Sequence, residues 1–207
     1  MSLVDWTPLA LLALAVAAAS SPGSPKARAR AETAAPGRDD FDFLLGKRWR
    51  VRNTLLKERL AGSTETVEFE AVLEGGREIA GGWGNIDCFL ATRDGEAFEG
   101  NSLRFFDPKT RRWTIHWVDS RNPVLRPQVE GTFENGVGTF LGEETFQGRK
   151  VKLRFLWKDI GPTSARWEQA YHDDEAGSWE TNWIMEFELL GEDGDGVGAR
   201  STGDDAP

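Results

Sequence analysis

Bulky apolar residues recur at every second position over much of this chain, with charged residues between them. Trp113, Ile115, Trp117 and Asp119 share one parity, as do Leu153, Phe155 and Trp157, then Trp167, Gln169 and Tyr171, then Trp179, Thr181, Trp183, Met185 and Phe187. The alternate positions hold Lys152, Arg154, Glu168, Glu180, Glu186 and Glu188. A period of two with one bulky face predicts half-buried antiparallel strands. All eight tryptophans from Trp49 to Trp183 fall on the bulky side of such an alternation.

Ten strands are predicted. Trp49–Leu55 and Val67–Leu73 come first, followed by 79–92, 97–106, 112–120, 127–134, 137–146, 150–160, 164–172 and 179–190. Glu74-Gly75-Gly76, Asp94-Gly95, Asn135-Gly136 and Gln147-Gly148 supply turn residues tolerant of positive φ, and Asp107-Pro108-Lys109-Thr110 reads as a type I turn. Links this short join only antiparallel neighbours, so the fold class is all-β with up-and-down order. Closing the meander into one barrel over residues 39–190 removes both exposed edges. Before the first strand, Asp40–Gly46 predicts a short helical plug: an Asp cap, an apolar run and a Gly stop. A Trp buries on the order of 200 Å², up to ~5 kcal/mol if fully covered. The indoles therefore either pack on one another at one end or surround something flat and apolar.

Composition narrows the partners. The 207-residue chain carries a formal charge of −9. Residues 1–38 contribute +2 and residues 192–207 contribute −4, leaving −7 on the middle segment. That balance argues against nucleic acid or an anionic membrane surface, which need a clustered positive face. The charged outer registers likewise predict no stable insertion of the barrel into a membrane. Cys88, alone of its kind, rules out an internal disulfide and reads as a small buried hydrophobe. Pro8–Ala19 is about the length of a signal-peptide apolar core, and Ala17-Ala18-Ala19 offers a small-residue cleavage site. Asp5 precedes that run while Lys26, Arg28 and Arg30 follow it, which is the wrong polarity for export. A secreted or periplasmic location is expected, with the cytoplasm as alternative. The linker to residue 38 and the acidic tail 191–207 have too little apolar content to fold.

Several polar residues share the tryptophan parity: Asn53, Asn85, Asp87, Asp119, Asp159, Gln169 and Thr181. A buried carboxylate needs a partner or shifts its pKa upward. Among cations, only Arg104 is expected inward within a strand. One reading makes Asp87 and Asp119 pocket groups with Arg104 as counter-ion; the other makes them strand-end residues that cap turns. His116 and His172 fall on the outward register. No zinc spacing, H-E-x-x-H, G-x-S-x-G or phosphate-cradling loop occurs, so neither metal nor cofactor is implied. Gly81-Gly82-Trp83-Gly84 lacks the strand-to-helix setting of a dinucleotide loop and is expected to bend a strand.

Phe41-Asp42-Phe43-Leu44-Leu45-Gly46 running into Trp49 resembles the opening of lipocalin-like (calycin) barrels. More narrowly, Gly81–Asp87, Ser102–Pro108, Trp113–Ser120, Phe155–Ile160 and Trp179–Met185 are similar to a bacterial family of calycin-like proteins. The resemblance spans about residues 40–190 and implies a fold rather than an activity. Gly46-Lys47-Arg48-Trp49 is one residue longer than that family's G-x-W spacing, which points to a local bulge. The hairpin His172–Trp179 resembles a degraded Asp-box with Ala176 in place of Gly, a structural device. Haem-binding ten-stranded calycins use a late-strand histidine; His172 is the candidate position here, and its outward register and acidic turn suit it poorly.

Three functions fit. The leading one is non-covalent binding of a small, largely apolar or aromatic molecule by Trp83, Asn85, Asp87, Trp113, Trp117, Trp157, Trp167, Gln169 and Trp183. The second is a metal-independent isomerase, cyclase, dehydratase or decarboxylase. Asp87 or Asp119 would be its general acid/base, and Arg104 or Asn85 would polarise an oxygen. The third is a module that binds a partner through its outer face. Oligomeric state has no signature in the sequence.

Overall fold

In a computed structural model, residues 36–126 and 129–192 are described, and all of them fall in one unit of the chain. The predicted leader (to residue 35) and most of the acidic tail (from residue 193) lie outside the described residues. Ten strands form a closed antiparallel barrel in chain order. They are β1 (Lys47–Leu56), β2 (Thr66–Ile79), β3 (Gly84–Arg93), β4 (Glu96–Asp107), β5 (Arg112–Asp119), β6 (Val129–Glu134), β7 (Val137–Phe146), β8 (Arg149–Lys158), β9 (Ser164–Asp173) and β10 (Ser178–Glu192). β1 pairs with both β2 and β10, so no edge is left open. No α-helix occurs among the described residues.

The alternation explains the lumen. Trp49, Val51, Asn53 and Leu55 of β1 are buried while Arg50 and Arg52 face solvent. On the outside, Arg50–Glu188 (3.1 Å) and Arg166–Glu186 (3.0 Å) are cross-strand ion pairs, each worth little in water. Three links are two-residue hairpins with positive φ at both central positions: Asp94-Gly95, Asn135-Gly136 and Gln147-Gly148. That is the type I′ geometry whose twist matches the flanking strands. Asp107 instead folds its loop by accepting from Lys109 N–H (2.8 Å) and the Thr110 hydroxyl (3.1 Å).

Five expectations need correction. Glu74-Gly75-Gly76 is not a turn. β2 continues through it, and the pairing with β3 shifts between Glu74 and Arg77. A methyl at Gly76 would run into the Leu44 carbonyl oxygen, so glycine is required by close approach of the segment before β1. The reversal comes later, at Ala80–Gly82, where Gly81 and Gly82 both have positive φ.

The predicted helical plug does not form as a helix. Only Asp42–Leu44 adopt a 3-10 turn; Leu45 is already extended and Gly46 has φ of 64°. One turn fixes several dihedrals for a single hydrogen bond, and nothing here extends it. Phe41 covers this end of the barrel instead, in edge contact with Trp113 (5.0 Å) and Phe133 (5.1 Å).

Trp179 and Thr181 do not share a face with Trp183. The β9–β10 register shifts between Thr181 and Trp183, leaving Asn182 as the extra residue. Parity inverts across a bulge. Trp179 therefore pairs with His172 on the outside, under the Arg154 guanidinium at 4.6 Å. A second shift lies between Arg48 and Trp49, where Leu190 is the extra residue of β10.

Asp159 and Cys88 also depart from expectation. Asp159 is exposed beyond β8. Cys88 is half-buried on the outward register, opposite Glu74 and Asn101. Burial, followed by the charges of Glu99 and Glu74, raises its thiol to about 11.

Candidate functional site

The lumen holds one large cavity of about 520 Å³, within the range of small-molecule pockets. Two aromatic walls face it. On β8–β10, Trp167 meets Phe155 (4.8 Å) and Trp183 (5.7 Å, near perpendicular), and Trp157 meets Phe187 (5.2 Å). On β3–β5, Trp117 stacks with Phe98 (6.5 Å, 23°) and is edge-on to Phe89 (6.1 Å). The Trp117 ring lies over Gly100 on the neighbouring strand, where any Cβ would collide with it. Sequence alternation explains both walls, since each ring comes from an inward parity position.

One end is shut and the other open. Phe41, Phe43 and the starts of β5 and β9 belong to the shut end, where Trp113 Nε1 donates to Gly37 O (2.8 Å). The open end is bounded by the β1–β2 loop with Arg59, the end of β3 with Arg93, and the β5–β6 loop with Arg121, Val124, Leu125 and Arg126. Val124 and Leu125 are the most exposed large apolar side chains among the described residues, at 63% and 56%.

Of the residues singled out from sequence, Trp117, Trp157, Trp167, Gln169, Trp183, Asp119 and Arg104 border the cavity. Trp83, Asn85, Asp87 and Trp113 do not border it. Trp83 stacks on Phe106 (6.4 Å, 7°) beneath the Arg38 guanidinium. Asn85 and Asp87 stand behind Arg104: its Nη1 donates to Asn85 Oδ1 (3.0 Å) and Asp87 Oδ2 (2.5 Å). The same guanidinium lies 5.0 Å from the Phe41 ring centre.

Arg104 is not a counter-ion for Asp119. The strand register sets Arg104 opposite Ile115 and Asp119 opposite Gly100, four residues along, or about 13 Å at the usual rise per residue. Asp119 anchors the loop that follows it. Its Oδ1 accepts from the backbone N–H groups of Arg121 (3.1 Å) and Asn122 (2.9 Å), and its Oδ2 accepts from Trp117 Nε1 (2.9 Å). Arg126 lies 3.6 Å from Oδ2.

Several other inward polar groups pair with one another, although Asn182 Nδ2 and Trp157 Nε1 are buried without a hydrogen-bond partner among the described residues. Asn53 accepts from Trp183 Nε1 (3.0 Å) and donates to Val51 O (3.0 Å). Gln169 donates to the bulged Asn182 (2.9 Å). Arg59 Nη1 donates to the Tyr171 hydroxyl (3.1 Å), whose proton is held to about pH 12 by burial and then by Glu144. His172 sits on the outer face, 2.7 Å from Asp174 Oδ1 and edge-on to Trp179. Asp173 accepts from Glu175 and Ala176 N–H, closing that hairpin.

Sequence reasoning missed the arginines of the rim. Arg93 could have been found, because the inward parity of Asn85, Asp87 and Phe89 extends to it. Arg59, Arg121 and Arg126 lie in loops, where no register exists to read. No protein-family model matches the chain, and no curated protein matches it.

Proposed function

We propose that this calycin-like barrel binds a small, largely apolar or aromatic molecule non-covalently between its two aromatic walls. The observation that carries the reading is the cavity itself: about 520 Å³, bounded by Trp117, Trp157, Trp167 and Trp183 and reached from one end. Aromatic walls with the charged groups gathered mainly at the opening fit a preformed ligand site. Gln169 and Arg104 supply polar contacts within it.

Acid–base catalysis by Asp87 or Asp119 is less well supported, because it needs a carboxylate free to act on the bound molecule. Asp87 is committed to Arg104 and does not border the cavity. Both Asp119 oxygens are spent on Trp117 and the loop.

Titrating the full-length chain with 1-pyrenebutanol, an uncharged flat probe, tests the reading. Saturable quenching of tryptophan emission at one probe per chain is the expected result, weakened in Trp167→Ala. Absence of saturable quenching with this and with aliphatic probes overturns it.

A further inference from the structure

Although the chain as a whole is strongly acidic, at −9, the cavity is bordered by five arginines against two carboxylates, Asp119 and Glu144. Arg104, deep inside, is neutralised by Asp87. The other four arginines gather at the open end. Arg121 pairs with Asp94 (3.1 Å) and Arg126 approaches Asp119 (3.6 Å). Arg93 has no carboxylate within ion-pair distance among the described residues. Its guanidinium lies instead over two rings, 5.1 Å from Phe69 and 5.5 Å from Phe98. Arg121 reaches the same Phe98 ring at 5.8 Å. Burial first, and then the charge of Arg121, lower the proton affinity of Arg93, with Asp94 and Asp119 acting in the opposite direction.

Crowded guanidiniums on aromatic faces suit a planar anion. Arginine is weakly hydrated, stacks well, and meets a carboxylate through two parallel hydrogen bonds. Phe98 links this cationic rim to the apolar interior, because it stacks on Trp117, which borders the cavity. A molecule lying along Trp117 and Phe98 would present its end to Arg93 and Arg121. Asp94 and Asp119 are already engaged by Arg121 and Arg126, which leaves Arg93, over its two rings, to meet one negative charge.

We propose that the ligand is a monoanionic amphiphile: an apolar or aromatic body held between the tryptophan walls and a carboxylate head held at the rim by Arg93, with Arg121 and Arg59 beside it. This rests on the binding function proposed above and names the chemical class that the site takes. The acidic exterior adds selectivity, repelling anions everywhere except at this opening.

The test compares 1-pyrenebutyrate with 1-pyrenebutanol, which share a body and differ in the head, on the full-length chain. The acid is expected to bind at least about tenfold more tightly than the alcohol at low salt, in line with a charge-assisted hydrogen bond. The advantage should shrink as ionic strength rises. In Arg93→Gln the acid should lose most of its advantage over the alcohol. Equal binding of acid and alcohol by the wild-type chain overturns the head-group assignment and leaves the pocket standing. Binding of neither overturns the pocket itself. A retained acid preference in Arg93→Gln overturns the role of Arg93. Should that variant fail to fold, the wild-type comparison of the two probes still decides the proposal.

Discussion

Arg104 stands directly across the strand pair from Asn85, yet its Nη1 also reaches diagonally to Asp87, at 2.5 Å. Both side chains of this ion pair are nearly sealed from water, at 3% and 1% exposure. Removing one partner strands the other charge in a dry interior, which typically costs about 3–5 kcal/mol. Asp87→Ala should therefore lower stability by about that amount in urea denaturation. Asp87→Val with Arg104→Met should recover most of it, because no orphaned charge remains. A loss under about 1 kcal/mol in the single variant would show that the pair contributes little.

Trp183 and Asn53 make a similar bargain with neutral groups. Asn53 is completely buried and its Oδ1 accepts from the Trp183 indole. Trp183→Phe keeps an aromatic ring against Trp167 but deletes that donor. The expected cost is about 1–3 kcal/mol, the penalty of an unsatisfied buried acceptor. Asn53→Leu in the Trp183→Phe background should restore part of it, as measured by thermal unfolding of both variants.

Asp119 separates an anchoring role from a chemical one. Asp119→Ala removes the acceptor for two loop N–H groups and for Trp117. Trypsin should cut after Arg121 much faster than in the wild type, because cleavage tracks local opening. Affinity for the pyrene probes should change with the loop. Unaltered proteolysis would exclude the anchoring role.

Alkaline pH is predicted to destabilise the barrel. Cys88 is raised to about 11 and Tyr171 to about 12, both by burial first. The folded chain thus holds protons that the unfolded chain releases near 9 and 10. Stability is full below pH 9 and falls as pH rises through 9 to 12. The same shift predicts alkylation of Cys88 about a hundredfold slower at pH 8 than in urea. Denaturation midpoints at pH 8 and pH 10.5, with a timed iodoacetamide reaction, check both.

The barrel was legible because each strand repeats the same message in short range: bulky parity, charged parity, a glycine turn. β1 and β5–β9 could be read this way with little error. The failures share one cause. Asn182 and the Gly75-Gly76 pair insert residues that invert parity, and nothing local distinguishes such an insertion from an ordinary alternation. Trp179 was misplaced for that reason. The candidate site was half legible. Trp117, Trp157, Trp167 and Trp183 border the cavity as their parity implies. Trp113, of equal parity, sits at the shut end instead, because depth along the barrel depends on which end Phe41 covers. Depth, unlike facing, is a property of the assembled sheet.

Because β1 must hydrogen-bond to β10, with Arg50 opposite Glu188 and Leu55 opposite Trp183, the seam is made between the earliest and the latest strands to leave the ribosome. Hairpins between successive strands can form as soon as they are translated, but the first strand waits with one side bare until the last arrives. Until then there is a curled sheet and no interior. A chain cut short before Ser178 would carry two sticky margins, and aggregation rather than a smaller barrel is its natural fate.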